Sequence, residues 1–213
     1  SVSFGFDQSK SSEVTNLTFN FDMEYRSERF ITNLGGNATS TTTSEFGTQK
    51  NFALASTNEF LRPGDRFWLG LASFENNEQQ GIDGRLLVGA GFGQYWIRKP
   101  DMEFATYAGV GVIQEWAVGS VDDQQSAEAM LGLQWKVFRF NDPKTTLTSR
   151  LQVMPSLTES GRYRGNAYIS LRHEIVSDLY IDLAFNGSYD SAPPDITADS
   201  IDYSLSTSLG YKF

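Results

Sequence analysis

Few residues of this chain could carry chemistry, and the types that are scarce already narrow the choices. Cysteine is absent and histidine occurs once, at His173. Thiol catalysis and cysteine-based metal centres are therefore excluded, and an oxidising compartment raises no conflict. A serine, Ser149, shares the sequence parity of His173 and falls roughly opposite it on the preceding apolar segment. A Ser–His pair on a lipid-facing surface could cleave or transfer an acyl ester. It would also need an orienting group and an oxyanion site, and neither shows in the sequence. An interfacial histidine is the ordinary reading, and no catalytic residue is expected. Gly89, Gly91 and Gly93 spell GxGxG, but a phosphate loop needs a helix N-terminus after it, and none follows. Asp122 with Asp123, and Asp195 with Asp199, could hold a loop cation, yet they lack the glycine-turned ligand spacing of a calcium loop. No cofactor is expected. The net charge of −9 argues against nucleic acid as a partner.

The elements that would position these residues are strands. Residues 201–213 put Ile201, Tyr203, Leu205, Thr207, Leu209, Tyr211 and Phe213 on one face, against Asp202, Ser204, Ser206, Ser208, Gly210 and Lys212. That is period two over thirteen positions, more than twice the roughly five or six residues of a typical soluble strand. Phe19 and Phe21, Phe92 and Trp96, Leu131, Leu133 and Trp135, Ile169 and Leu171, and Leu183 continue the pattern in other segments. No segment has a helical stripe of similar strength. No run of about 18 apolar residues occurs, so a transmembrane helix is excluded. Mean hydropathy is only −0.35, as in a membrane barrel, where alternate residues face lipid. The aromatic fraction of 14% suits interfacial girdles.

Connections alternate in length. Short ones surround Arg26-Ser27-Glu28, Arg62-Pro63-Gly64-Asp65, Lys99-Pro100-Asp101, Asn141-Asp142-Pro143-Lys144 and Val176-Ser177-Asp178. Longer polar ones are expected at residues 8–13, 38–47, 75–83, 117–124, 158–163 and 191–199. Short periplasmic turns and long extracellular loops on opposite rims are the habit of bacterial outer-membrane barrels. The long loops are acidic, with Glu13, Glu45, Glu78, Asp83 and Glu159 among them. They could bridge through divalent cations to lipopolysaccharide, although solvated loop charge is the ordinary reading. The expectation is an all-β, closed, antiparallel up-and-down transmembrane β-barrel of about twelve strands. It is a single domain over residues 1–213 with periplasmic N- and C-termini, and its first strand, carrying Val2, Phe4 and Phe6 outward, pairs with its last. The chain starts on strand-like sequence at Ser1 and is read as mature, with its targeting segment removed or not included.

Alternation also assigns an inner face. It carries Asp22, Glu24, Glu59, Arg85, Glu128, Lys136, Arg150, Arg164, Tyr168, Arg172, Glu174, Asp182, Asp202 and Lys212. The signs are mixed, so cross-strand pairing is expected and a single-sign selectivity ring is not. Arg172 should face Asp182, with Arg150 close by. Gly91 should face Gly109, Gly89 should face Gly111, and Gly132 should face Gly109. Trp68 should come opposite Gly91 and lie over this bare patch. Glycines at such positions let a closing sheet bend; the alternative is that they keep a passage open.

With the strands in place, the chain resembles the salt-induced outer-membrane protein family (YdiY-like), a domain of unknown function. The carriers are Gly89-Ala90-Gly91-Phe92-Gly93-Gln94-Tyr95, Tyr107-Ala108-Gly109-Val110-Gly111, Leu151-Gln152-Val153-Met154-Pro155 and Tyr189-Asp190-Ser191-Ala192-Pro193-Pro194, followed by the ending Gly210-Tyr211-Lys212-Phe213. The resemblance spans nearly the whole chain and implies architecture and an outer-membrane location in a Gram-negative envelope, with no catalytic residues. Expected partners are outer-membrane lipid, lipopolysaccharide and the barrel-assembly machinery, the last through the C-terminal strand. The function expected is a narrow, porin-like passive pore for small solutes or ions. A non-conducting scaffold and, remotely, a lipid-modifying enzyme are the alternatives.

Overall fold

Period-two sequence demands an extended backbone if its apolar side chains are to share one surface. The computed structural model follows that demand throughout. It describes residues 2–9, 14–43, 47–77, 82–117, 124–141, 143–176, 179–193 and 200–211. The strands are β1 (Val2–Ser9), β2 (Val14–Arg26), β3 (Phe30–Thr43), β4 (Gly47–Arg62), β5 (Arg66–Asn77), β6 (Ile82–Lys99), β7 (Met102–Ala117), β8 (Gln124–Arg139), β9 (Thr145–Pro155), β10 (Tyr163–Val176), β11 (Leu179–Asp190) and β12 (Ile201–Tyr211). Each pairs antiparallel with its chain neighbours, the all-β up-and-down order that the alternation predicts. β1 and β12 are register partners at Val2↔Tyr211, Ser3↔Gly210 and Phe4↔Leu209.

The short turns lie where the sequence puts them. Ser27 Oγ accepts from the amides of Arg29 and Phe30 at 3.3 and 3.1 Å, closing the β2–β3 turn. Between β4 and β5, Gly64 and Asp65 adopt left-handed φ of 78° and 55°, conformations open to glycine and tolerated by aspartate. The other rim differs from expectation at residues 38–47. Instead of a loop, the β3–β4 ladder continues to Thr43↔Gly47. The segment is polar, but its threonines are β-branched and suit a pleated sheet. The expected loop acids Glu13, Glu45, Glu78, Asp122, Asp123, Asp195 and Asp199 lie outside the described residues, as do Lys212 and Phe213.

The outer face is an apolar coat. Phe19, Phe92, Trp96, Leu131, Trp135, Ile169, Leu171, Leu183 and Leu209 are exposed, and Tyr203 and Leu205 reach 72% and 76%. Phe21 and Leu133 share that face and are half-buried, Phe21 because its ring spreads over Gly36. A contiguous exposed apolar face marks an interaction surface, whereas apolar residues scattered singly do not.

Candidate functional site

The candidate site is the lumen, which divides into a packed side, two polar belts and a chamber. The packed side is built on the glycine patch of β6, β7 and β8. Gly91 faces Gly109 and Gly89 faces Gly111, as the hairpin predicts. Gly132 instead faces Tyr107, while Gly109 faces Met130. The bare surface is filled. The Met130 side chain covers Gly89 and approaches Gly111, the Phe67 ring covers Gly93, and the Tyr107 ring covers Gly132. Phe67, Leu69, Tyr95, Ala105 and Ile31 form one buried cluster, and Leu87, Ile113, Met130 and Met154 form another.

Trp68 corrects the sequence reading. It faces Phe92, not Gly91, stands 54% exposed on the outer face, and meets the Phe92 ring edge-on at 5.8 Å. The residue opposite Gly91 is Leu69. Side chains alternate strictly, so a one-residue slip in register exchanges the two faces, and Phe67 takes the covering role expected of Trp68.

At the long-loop end, an ionic belt crosses the lumen. Arg85 reaches Glu75 at 2.6 Å, Glu115 at 2.8 Å and Asp190 at 3.2 Å. Arg164 reaches Glu128 at 2.5 Å and both Glu115 and Asp190 at 3.1 Å. Arg162, just before β10, contacts Asp190 at 2.9 Å, Glu159 at 3.0 Å and Glu115 at 3.4 Å. Burial opposes the Arg162 charge, but the Asp190 hydrogen bond, together with the charges of Asp190 and Glu115, outweighs it, so its pKa lies above the ordinary arginine value. Asn77 of β5 donates to Asp202 of β12 at 3.2 Å at the same end.

The belt at the short-turn end hangs on β2. Glu24 binds Lys136 of β8 at 2.6 Å, Arg26 binds Glu103 of β7 at 2.6 Å, and Asp22 lies 3.9 Å from Arg172 of β10. Arg172 also pairs with Asp182 at 2.9 Å, the partner predicted from the hairpin, and stacks over Tyr180 at 4.2 Å. Arg150 faces Tyr168 rather than neighbouring Arg172, with its guanidinium 5.2 Å from the Tyr168 ring centroid. Glu174 sits at the rim, 3.1 Å from Lys144. Glu59 is buried and accepts from the Tyr95 hydroxyl and from Gln134 Nε2 at 2.9 Å.

Between the belts, a chamber of about 890 Å³ runs along β3–β5 and β9–β12. Its wall is rich in amides and hydroxyls, among them Asn37, Asn51, Gln152, Asn166, Asn186, Ser73 and Ser188. Arg150, Tyr168 and Asp202 also line it.

Ser149 and His173 do not meet. Ser149 faces Ile169 and Trp135, whereas His173 faces Thr145, and His173 Nδ1 lies 2.9 Å from Thr145 Oγ1. Several belt residues escaped the sequence reading of the inner face, among them Arg26 and Glu75, which it put in connections. Glu103, Glu115 and Asp190 lie on inward parity, so extending the alternation of β7 and β11 to the strand ends would have found them. Arg162 precedes its strand, where alternation gives no signal.

A family model, DUF481, described as a protein of unknown function, matches residues 2–213. The chain belongs to the DUF481 family. The resemblance read from the glycine-rich strands agrees with that membership. Among solved structures, the DUF481 chain is similar to the NanC porin in a rhombohedral crystal form, with a TM-score of 0.61, 6% identity and 100% of both chains covered. At that identity the likeness speaks for the fold alone, a porin-type β-barrel. It also aligns with the β domain of the Bordetella autotransporter BrkA, at a TM-score of 0.43 and 11% identity over 99% of this chain and 95% of that one. No curated protein matches the chain.

Proposed function

We propose that this DUF481 protein is an integral outer-membrane β-barrel whose lumen is a narrow passive pore for small polar solutes or ions. The observation that carries the reading is the chamber of about 890 Å³, whose wall carries amides and hydroxyls among its apolar side chains. A barrel serving only as a wall would be expected to fill its interior with its own side chains, as barrels of about eight strands do. In the membrane, the reading takes the twelve strands as a closed barrel with both termini periplasmic. The apolar coat supports lipid around it: unpaired amides in hydrocarbon cost several kcal/mol each, which favours a closed sheet. The acidic long-loop rim would meet lipopolysaccharide, with or without divalent cations, and the C-terminal strand would engage the assembly machinery. No catalytic step is assigned.

The belts favour a second reading. Ion pairs from β2 to β7, β8 and β10 span the interior, as they would in a non-conducting scaffold. Planar-bilayer recording of the purified, folded protein separates the two. Discrete current steps are expected for the pore; a folded barrel that never conducts overturns it in favour of the scaffold.

A further inference from the structure

The chamber wall offers hydrogen bonds and little net charge. Asn37, Asn51, Gln152, Asn166 and Asn186 contribute amides from five different strands. The charged groups beside them are already engaged. Arg150 stacks on Tyr168, Glu75 is held by Arg85 at 2.6 Å, and Asp202 accepts from Asn77 at 3.2 Å. An ion moving through would meet no single-sign field to select it or lower its dehydration cost.

Two amide atoms on opposing arcs of the ring are left over. Asn51 Oδ1 on β4, an acceptor, and Gln152 Nε2 on β9, a donor, are buried without a hydrogen-bond partner among the described residues. Both residues line the chamber. An unsatisfied buried amide is unfavourable, and a hydroxyl is the group that satisfies either kind, since it donates and accepts. Tyr107 and Tyr168 add aromatic surface to the same wall. The volume of about 890 Å³ falls within the range of roughly 300–1,000 Å³ over which proteins enclose small ligands.

We infer that the chamber is a binding segment for neutral polyhydroxylated solutes, sugars or polyols of mono- to disaccharide size, and that Asn51 and Gln152 hold them from opposite walls. This rests on the pore reading and adds the substrate class to it. Water alone would satisfy the same amides, so the experiment must separate retention of a sugar from mere permeation.

The full chain is reconstituted in planar bilayers in KCl, and maltose, gluconate and glucosamine are added in turn. Maltose is expected to reduce the current saturably, with a half-saturating concentration below those of the two charged solutes. In Asn51→Leu/Gln152→Leu that concentration should rise at least about fivefold, the size expected for each hydrogen bond lost. A maltose effect that never saturates and matches bulk viscosity overturns the inference and leaves the pore reading intact. So does a tighter effect of gluconate or glucosamine. A folded barrel that passes no current, and whose proteoliposomes admit none of the three solutes, sinks the pore reading and the inference with it. The comparison of neutral with charged solutes uses the unaltered protein, so it decides the matter even where the double variant does not fold.

Discussion

Gly91 and Gly109 face one another across the β6–β7 ladder so closely that a Cβ on either would strike the opposite strand, at the carbonyl of Ala108 or of Ala90 respectively. The obstacle is backbone, which cannot swing aside as a side chain can. Gly91→Ala or Gly109→Ala is therefore expected to destabilise the barrel by about 1–3 kcal/mol, the usual cost of overpacking. Gly70→Ala provides the control, because nothing lies within 4 Å of a Cβ there. Urea unfolding in lipid vesicles measures all three, and equal midpoints would refute a close approach.

Phe67 and Trp68 are adjacent in sequence and opposite in environment. Phe67 is fully buried against the glycines, and Trp68 is 54% exposed on the outer face. Phe67→Ala should cost about 3–5 kcal/mol, as for an aromatic removed from a core, and Trp68→Ala distinctly less. A larger loss at Trp68 would mean that β5 is registered one residue away from its place in the structure.

Arg164 holds Glu128, Glu115 and Asp190 at once. Removing the cation takes the arginine from buried Glu128, whereas Glu115 and Asp190 keep Arg85 and Arg162, so Arg164→Ala should lose about 3–5 kcal/mol. Arg164→Met combined with Glu128→Leu should recover part of that loss, since replacing a buried pair is far cheaper than breaking one. A double variant as unstable as the single would show that Glu115 and Asp190, rather than Glu128, carry the dependence on Arg164.

The pairs at the short-turn rim are half open to solvent, with Arg26 and Glu24 side chains 36% and 39% exposed and their partners Glu103 and Lys136 12% and 15%. A half-exposed pair contributes less than a buried one, so Lys136→Ala and Glu103→Ala should lower the unfolding midpoint less than Arg164→Ala does. They remove ties that span the interior, and single-channel current should increase. An unchanged step in both variants would exclude this belt as the constriction.

The joint between β1 and β12 can be trapped chemically. Phe4 and Leu209 are register partners in a chain without native cysteine. Phe4→Cys/Leu209→Cys should cross-link under mild oxidation in vesicles, read as a mobility shift reversed by reductant. Failure to cross-link in folded protein would point to an open sheet.

The alternation was legible because one dihedral region and a two-sided environment determine it. Residues such as Leu205 and Leu209 can go only one way once the inner face is polar. Pairing within the Lys99-Pro100-Asp101 hairpin was legible too, because a short turn ties the register to the sequence, and Gly91–Gly109 came out correctly. Register across the 117–124 connection was not, since a longer loop leaves the slide between β7 and β8 free, and Gly132 landed against Tyr107. Trp68 failed for a related reason. Either Phe67 or Trp68 could turn inward on hydropathy alone, and only packing against Gly93 decides between them. The chamber was invisible to the sequence, because it depends on which side chains from opposite walls meet and which fall short.

The packing over the glycine patch and the chamber beyond it make the interior lopsided. Met130, Phe67 and Tyr107 occupy one flank, and the polar space hugs the other. A molecule inside would thus ride in a slot between β3–β5 and β9–β12, met by amides from both arcs and kept off the axis. Its dipole would hold one orientation relative to the wall, and discrimination would depend on handedness and facial pattern more than on diameter. Enantiomeric sugars of identical size provide the sharpest contrast for such a slot.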